Sequence, residues 1–207
     1  MRNLWKMSGI FGIMFGLCSG PGLAQGVSVH IGAQTGSGMS STSISDGTGT
    51  LDGLSARSRS PDFGLHAGID FKVANSPFLV GAFGEYMWRD TSFKIEPGFS
   101  VSFGNVWTLG ARAGYVLNGG MMPYILAGYR QTELGLPAGV ALDSKLKGWM
   151  LGGGLEIPLA KQVTLSAEGR WTKYDKVDLT PIGLAFTGVT AKTDELSGVL
   201  RLNVNMN

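Results

Sequence analysis

An all-β fold, an eight-stranded antiparallel up-and-down barrel, is predicted by three observations. Apolar and polar residues alternate with period two over eight separate stretches, the connections between them alternate long and short, and residues 25–207 contain no amphipathic helical period. Eight is also an even number, as bacterial barrels that cross a membrane require.

The clearest unit is 62–89. In Phe63-Gly64-Leu65-His66-Ala67-Gly68-Ile69-Asp70-Phe71-Lys72-Val73 the odd positions are all apolar and the even ones are Gly, His, Gly, Asp and Lys, so one face is apolar and the other polar. Ala74-Asn75-Ser76-Pro77 turns the chain, and 78–89 resumes the alternation with Val80, Ala82, Tyr86 and Trp88 against Gly81, Glu85 and Arg89. These are the second and third strands. The first is read at 27–34, where Val27, Val29, Ile31 and Ala33 share a face, and 36–61 follows as a long Gly, Ser and Thr-rich loop without period.

A connection over 90–105 includes Ser100 to Phe103, which extends a strand beyond the rim. The fourth strand, 106–117, sets Trp107, Leu109, Ala111, Ala113, Tyr115 and Leu117 against Thr108, Gly110, Arg112 and Gly114. Asn118-Gly119-Gly120-Met121-Met122 is a short turn, 123–132 the fifth strand, and 133–146 a medium loop. The sixth strand, 147–159, has Trp149, Leu151, Leu155, Ile157 and Leu159 opposite Gly152, Gly154 and Glu156; Ala160-Lys161 turns it into the seventh, 162–174. There Leu165, Ala167 and Trp171 oppose Ser166, Glu168 and Arg170, and a loop over 175–193 precedes the eighth strand, 195–204.

Residues 1–24 read as a secretory signal: Arg2 and Lys6 precede an apolar run, and Pro21-Gly22-Leu23-Ala24 is a small-residue cleavage site. The apolar run is well short of the roughly 20 residues of a transmembrane helix. Residues 25–207 then form one barrel domain. Lone Cys18 falls in the removed segment, so no disulfide or thiol chemistry is expected. Without Arg2 and Lys6, the 17 Lys and Arg become 15 against 15 Asp and Glu, which argues against a nucleic-acid partner. Charged residues are 15% of the chain, whereas a soluble surface alone is roughly 25–35% charged.

Alternation does not say which face is outside, because a soluble barrel alternates too and turns its apolar face inward. Three features set the apolar face against lipid. The polar face is rich in glycine and poor in lysine, and the strands are long enough to cross a bilayer at a tilt, which takes about 9–11 residues. Third, with the first strand running away from the short-turn end, Trp88, Trp107, Trp149 and Trp171 all fall on the apolar face near the long-connection end. Phe71, Phe78 and Tyr115 mark the opposite end. Phe78 to Trp88 spans about 33 Å along the strand, or about 23 Å vertically at a tilt near 45°, close to the roughly 25 Å apolar band of a membrane barrel. The expected fold is therefore transmembrane.

With these features the sequence resembles the outer membrane β-barrel proteins of Gram-negative bacteria, grouped with opacity-type surface antigens and OmpA-like small porins. The resemblance spans essentially 25–207 and rests on strand spacing with segments 78–89, Pro123-Tyr124-Ile125-Leu126-Ala127-Gly128-Tyr129 and 163–174. It departs at Leu202-Asn203-Val204-Asn205-Met206-Asn207, where such proteins usually end in an aromatic residue. It implies location in the cell outer membrane, short periplasmic turns, longer extracellular loops, and an extracellular aromatic girdle of Trp88, Trp107, Trp149 and Trp171. Implied partners are outer-membrane lipid, the assembly machinery and periplasmic chaperones during biogenesis, and an extracellular ligand at loops 36–61 and 175–193.

The alternation sends His30, His66, Asp70, Lys72, Glu85, Arg89, Arg112, Arg130, Glu156, Glu168, Arg170 and Arg201 into the lumen. Four acids and six bases of mixed sign predict a hydrogen-bonded network that plugs a narrow barrel, with a structural or surface-interaction role. The alternative is a narrow porin-like channel for ions or small solutes, which a ring of one charge sign would favour. A third reading, a lipid A-modifying enzyme, needs a nucleophile beside a base. His30 is followed by Ile31-Gly32 and His66 by Ala67-Gly68, so neither is followed by a serine two positions on, and no catalytic residue is assigned. No His, Cys or carboxylate cluster has metal-ligand spacing, and Gly152-Gly153-Gly154 lies mid-strand, unlike a phosphate loop; no metal or cofactor is expected.

Overall fold

The structure, a computed structural model, describes residues 26–45, 55–89, 91–96, 99–135, 145–178 and 190–206. The signal read at 1–24 lies outside them. The described residues form ten strands: β1 Val27–Ser45, β2 Ser55–Lys72, β3 Phe78–Trp88, β4 Thr91–Glu96, β5 Phe99–Tyr115, β6 Met122–Gly135, β7 Lys145–Pro158, β8 Val163–Tyr174, β9 Val177–Asp178 and β10 Thr190–Met206. Eight of them run as a wall in the order β1-β2-β3-β5-β6-β7-β8-β10, and β1 pairs with β10 to close it. Every pairing is antiparallel. Closure satisfies each strand's backbone groups on both sides, the condition for a β-structure to stand in lipid.

Three tight turns join strands at one end. Asn75 adopts φ 56° between β2 and β3, where Val73 N–H donates to the Phe78 carbonyl at 2.9 Å. Asn tolerates this left-handed conformation better than most residues. Between β5 and β6, Gly119 and Gly120 take φ 96° and 84°, and Leu117 N–H donates to Met121 O at 2.8 Å. Between β7 and β8, Leu159 N–H donates to Val163 O at 2.8 Å.

The wall has its apolar side out. Leu65, Leu109, Ile125, Leu151, Leu200 and Trp149 are all more than 45% exposed, whereas the polar partners in the same strands are buried. In β10 the buried positions are every second residue from Thr193 to Asn203. The lumen also encloses an apolar cluster of Phe83, Met122, Tyr124, Leu126 and Met150.

The strands outrun the sequence-based bounds at the long-connection end. Within 36–61, expected as a loop, the described residues 36–45 and 55–61 are sheet: β1 continues to Ser45, paired with β2 as far as Ser43↔Ser55 and with β10 as far as Ser45↔Thr190. The Gly, Ser and Thr run carries no hydrophobic period because beyond the apolar band neither face needs one, and backbone pairing alone continues the ladder. Likewise 175–193 includes the start of β10 and β9, which pairs with it at Thr190↔Asp178. β4 pairs with the outer part of β5, and β5 slips register against β6 between Phe103 and Val106, a bulge near the rim. The Gly152-Gly153-Gly154 run keeps continuous register in β7 on both sides.

Candidate functional site

Parity along eight strands gathers the buried charges into one column, in three tiers from the long-connection end to the short-turn end. In the first, Arg89, the residue after β3, donates Nε and Nη2 to the two oxygens of Asp62 on β2, at 2.7 and 2.6 Å. Its Nη1 donates to Glu195 of β10 at 2.9 Å, and Arg130 Nη1 of β6 donates to the same carboxylate at 2.8 Å. The hydroxyls of Tyr174 and Ser40 complete the shell of Glu195 at 3.3 and 3.4 Å.

The middle tier crosses the lumen. Arg170 of β8 forks onto Glu85 of β3, with Nη1 at 2.7 Å and Nη2 at 2.6 Å, and its Nε donates to Glu168 at 2.6 Å. Arg201 of β10 bridges the same two carboxylates, with Glu85 at 2.5 Å and Glu168 at 2.7 Å, while its Nε donates to Gln34 at 3.0 Å. The Tyr124 hydroxyl donates to Glu168 at 2.5 Å. In the third tier Arg112 of β5 forks onto Asp70 of β2, at 2.9 and 2.5 Å, and reaches Glu156 of β7 at 3.0 Å. Its guanidinium also lies 5.4 Å from the centre of the Tyr124 ring. Planar guanidinium forks are suited to such bidentate pairing, and arginine supplies every cation of these tiers.

Two histidines join the lower tiers. The rings of His30 on β1 and His66 on β2 stack at 4.9 Å with their Nε2 atoms 2.8 Å apart. His30 Nδ1 lies 3.2 Å from Asp70 Oδ2, and His66 Nδ1 lies 3.4 Å from Glu85 Oε1. Room for this comes from glycine: a Cβ at Gly68 would stand 2.5 Å from His30 Nε2 and 2.8 Å from the Ala82 carbonyl. At Gly154 it would meet the Glu168 side chain at 2.8 Å. Lumenal glycines thus make way for the large charged groups across from them.

Eleven of the twelve residues read into the lumen are buried there. Lys72 is exposed. It has lumenal parity but is the last residue of β2, where the inner face opens to the aqueous end, so its ammonium stays in water. Asp62 and Glu195, absent from the sequence-based set, are 2% and 1% exposed and carry the first tier. Parity held the signal for both: Asp62 is four residues before His66, and Glu195 six before Arg201. Among the described residues the enclosed charges are thus six carboxylates and five guanidiniums, where the alternation had placed four acids and six bases. Among the described residues no group of three His, Asp or Glu is placed to hold a metal ion.

The four tryptophans stand on the outer face, with Trp88 38%, Trp107 39%, Trp149 69% and Trp171 45% exposed. Trp88 contacts Phe63 and Tyr86 at 5.6 and 5.3 Å between ring centres, and Tyr129 joins Trp107 to Trp149 at 5.7 and 6.1 Å. At the short-turn end Phe78 and Tyr115 pack edge to face at 5.2 Å.

The profile of the outer membrane protein beta-barrel domain matches residues 13–197. No curated protein matches the sequence. Among solved structures, the outer membrane protein OprG from Pseudomonas aeruginosa is similar at 13% identity and a TM-score of 0.52, covering 88% of this chain and 96% of that one. The attachment invasion locus protein Ail of Yersinia pestis is similar at 16% identity and a TM-score of 0.42, covering 86% and 99%. Neisserial surface protein A is similar at 18% identity and a TM-score of 0.44, covering 86% and 99%.

Proposed function

The chain belongs to the outer membrane protein beta-barrel family, and from that premise we propose that it serves as a structural, surface-presenting barrel whose lumen is closed by its own side chains. The observation that carries this reading is the column of ion pairs. Arg89, Arg112, Arg130, Arg170 and Arg201 are at most 6% exposed, and each reaches a carboxylate on another strand. An eight-stranded barrel leaves an interior only wide enough for side chains. Mixed charges paired across it fill that space, whereas a conducting cation or anion path is lined by one sign.

In this reading the long-connection end is extracellular, and the four tryptophans with Phe63, Tyr86 and Tyr129 form the girdle at the outer interface, against outer-membrane lipid. The Ser and Thr-rich extension of β1, β2 and β10 then stands clear of the membrane. That surface, within 36–61, and the 175–193 segment are where an extracellular ligand would meet the protein. Assembly machinery and periplasmic chaperones are its partners during biogenesis, after export on the 1–24 signal. The role is not enzymatic: His30 and His66 are 0% and 3% exposed inside the barrel, out of reach of a lipid or peptide substrate.

Conductance in planar bilayers tests the proposal. A closed lumen yields no steady unitary current from the full refolded chain, and regular single-channel steps would overturn it in favour of a narrow channel.

A further inference from the structure

Beyond the tryptophan girdle the outer face of the wall carries lysines on one arc. On β7, Lys147 stands two residues beyond Trp149 and Lys145 two further; on β8, Lys173 stands two beyond Trp171. Lys192 takes the outer face of β10, four residues from Leu196, which pairs with Trp171. All four lysines are exposed. Asp175 and Asp194 stand among them, so four cations against two carboxylates leave these neighbouring strands a positive surplus. On β5 and β6 the corresponding outer positions are Asn105, Gln131 and Glu133, none of them a cation. Two residues are about 7 Å along a strand, or about 5 Å of height at a tilt near 45°, so the ammonium groups lie at headgroup depth above the aromatic ring.

Below the lysines the same strands leave bare wall. Gly153, Gly169 and Gly198 stand side by side on the outer face of β7, β8 and β10. A Cβ at Gly169 would meet nothing within 4 Å, and one at Gly198 only the Glu168 carbonyl at 4.0 Å, so packing within the barrel does not require glycine there. Glycine inside a strand weakens it and often marks where another molecule approaches closely. Two residues below Gly198, Leu200 lies on the wall of a shallow groove of about 310 Å³, lined also by Ala33, Thr35, Leu165 and Leu202. Leu200 pairs with Ala167. From Lys173 to Ala167 is about 20 Å along β8 and about 14 Å in depth, close to half of the roughly 25 Å apolar band.

We propose that this arc is a seat for a phosphorylated lipid of the leaflet at the long-connection end. The anionic headgroup lies among Lys147, Lys173 and Lys192, and an acyl chain runs down over Gly169 and Gly198 into the groove. A zwitterionic lipid fills the groove as well but gains little from the lysines, so charge selects the occupant. A lone lysine at an interface reaches for water; four on three adjacent strands, above a bare wall of leaflet depth, hold an anion. The seat lies outside the barrel and stands whether or not the lumen conducts.

The test folds the full chain into phosphatidylcholine vesicles and reads one tryptophan at a time, each in a variant that keeps it alone. A minor fraction of the lipid is brominated on its acyl chains and is either phosphatidylglycerol or phosphatidylcholine. At Trp149 and Trp171 the brominated anionic lipid is expected to quench at least about twice as strongly as the zwitterionic one, with no such excess at Trp88 and Trp107. High salt is expected to erase the excess. So is the triple substitution Lys147→Gln, Lys173→Gln and Lys192→Gln, while Gly198→Leu, which fills the bare wall without touching the lysines, is expected to reduce it. Equal quenching by both lipids at Trp171, an equal excess at all four tryptophans, or an excess that survives either set of substitutions would overturn the proposal. Quenching at Trp171 that falls as the protein-to-lipid ratio rises would give the wall to a second copy of the chain and overturn it too. Heat-modified gel migration verifies that each variant is folded, and the salt arm needs no lysine or glycine substitution. Channel currents bear on the closed lumen alone, so the two readings fail separately.

Discussion

Replacing Glu195 with alanine is the sharpest probe of the lumenal column, because one carboxylate there serves two arginines unequally. Arg89 loses contacts of 2.9 and 3.1 Å but keeps both oxygens of Asp62. Arg130 loses its 2.8 Å carboxylate and, among the described residues, keeps only Thr172 at 3.4 Å. A guanidinium 1% exposed is thereby left without a counter-ion. Breaking a buried pair from one side costs about 3–5 kcal/mol, and the position of this tier toward the aqueous mouth sets the expectation near the lower value, about 3 kcal/mol. That is a fall of about 100-fold in the folding equilibrium. Urea titration of tryptophan fluorescence in lipid vesicles reads it directly. The companion is Glu195→Ala combined with Arg130→Met, which removes the stranded charge and is expected to recover at least about half of the loss. A single-variant cost below about 1 kcal/mol, or a double variant that loses the sum of both, would refute the reasoning.

Other consequences are quicker to check. Gly68→Ala is expected to destabilise the barrel by about 1–3 kcal/mol, since the new methyl meets a backbone carbonyl at 2.8 Å as well as the His30 ring; an unchanged urea midpoint would contradict the packing described. Lys72→Gln is expected to stay within about 0.5 kcal/mol of the parent in the same titration, because its ammonium is solvated. Brominated lipid is expected to quench Trp88 and Trp171, each measured in a variant retaining that tryptophan alone among the four of the girdle, and silence at both would reverse the assignment of faces. Arg112→Met leaves Asp70 and Glu156 without their shared cation and is expected to cost about 3 kcal/mol or more, read as a lowered temperature of the gel-migration shift.

The family-level picture was legible because period two is a local property. Each of the eight stretches declares two faces on its own, and the tight turns declare themselves through Asn75, Gly119 and Gly120. The extension of β1 past Gln34 was not legible: Gly36 to Ser45 has no apolar face to count, and its strand character exists only through partners on β2 and β10. Lys72 shows the complementary failure, in which parity was right but depth along the barrel axis decided whether the side chain is enclosed.

Sequence alone settled which residues share a face, because a strand's pleat needs no neighbour to set it. It also placed Trp88, Trp107, Trp149 and Trp171 toward the same end of their strands. What the tertiary structure decided is who meets whom across the lumen: Glu85 with Arg170, 85 residues apart, and Arg201 with both Glu85 and Glu168. Those pairings depend on the stagger of eight strands around a closed ring, and no single strand records it. The same closure enclosed Asp62 and Glu195 with the other lumenal charges and set two histidines 36 positions apart within hydrogen-bond distance of each other.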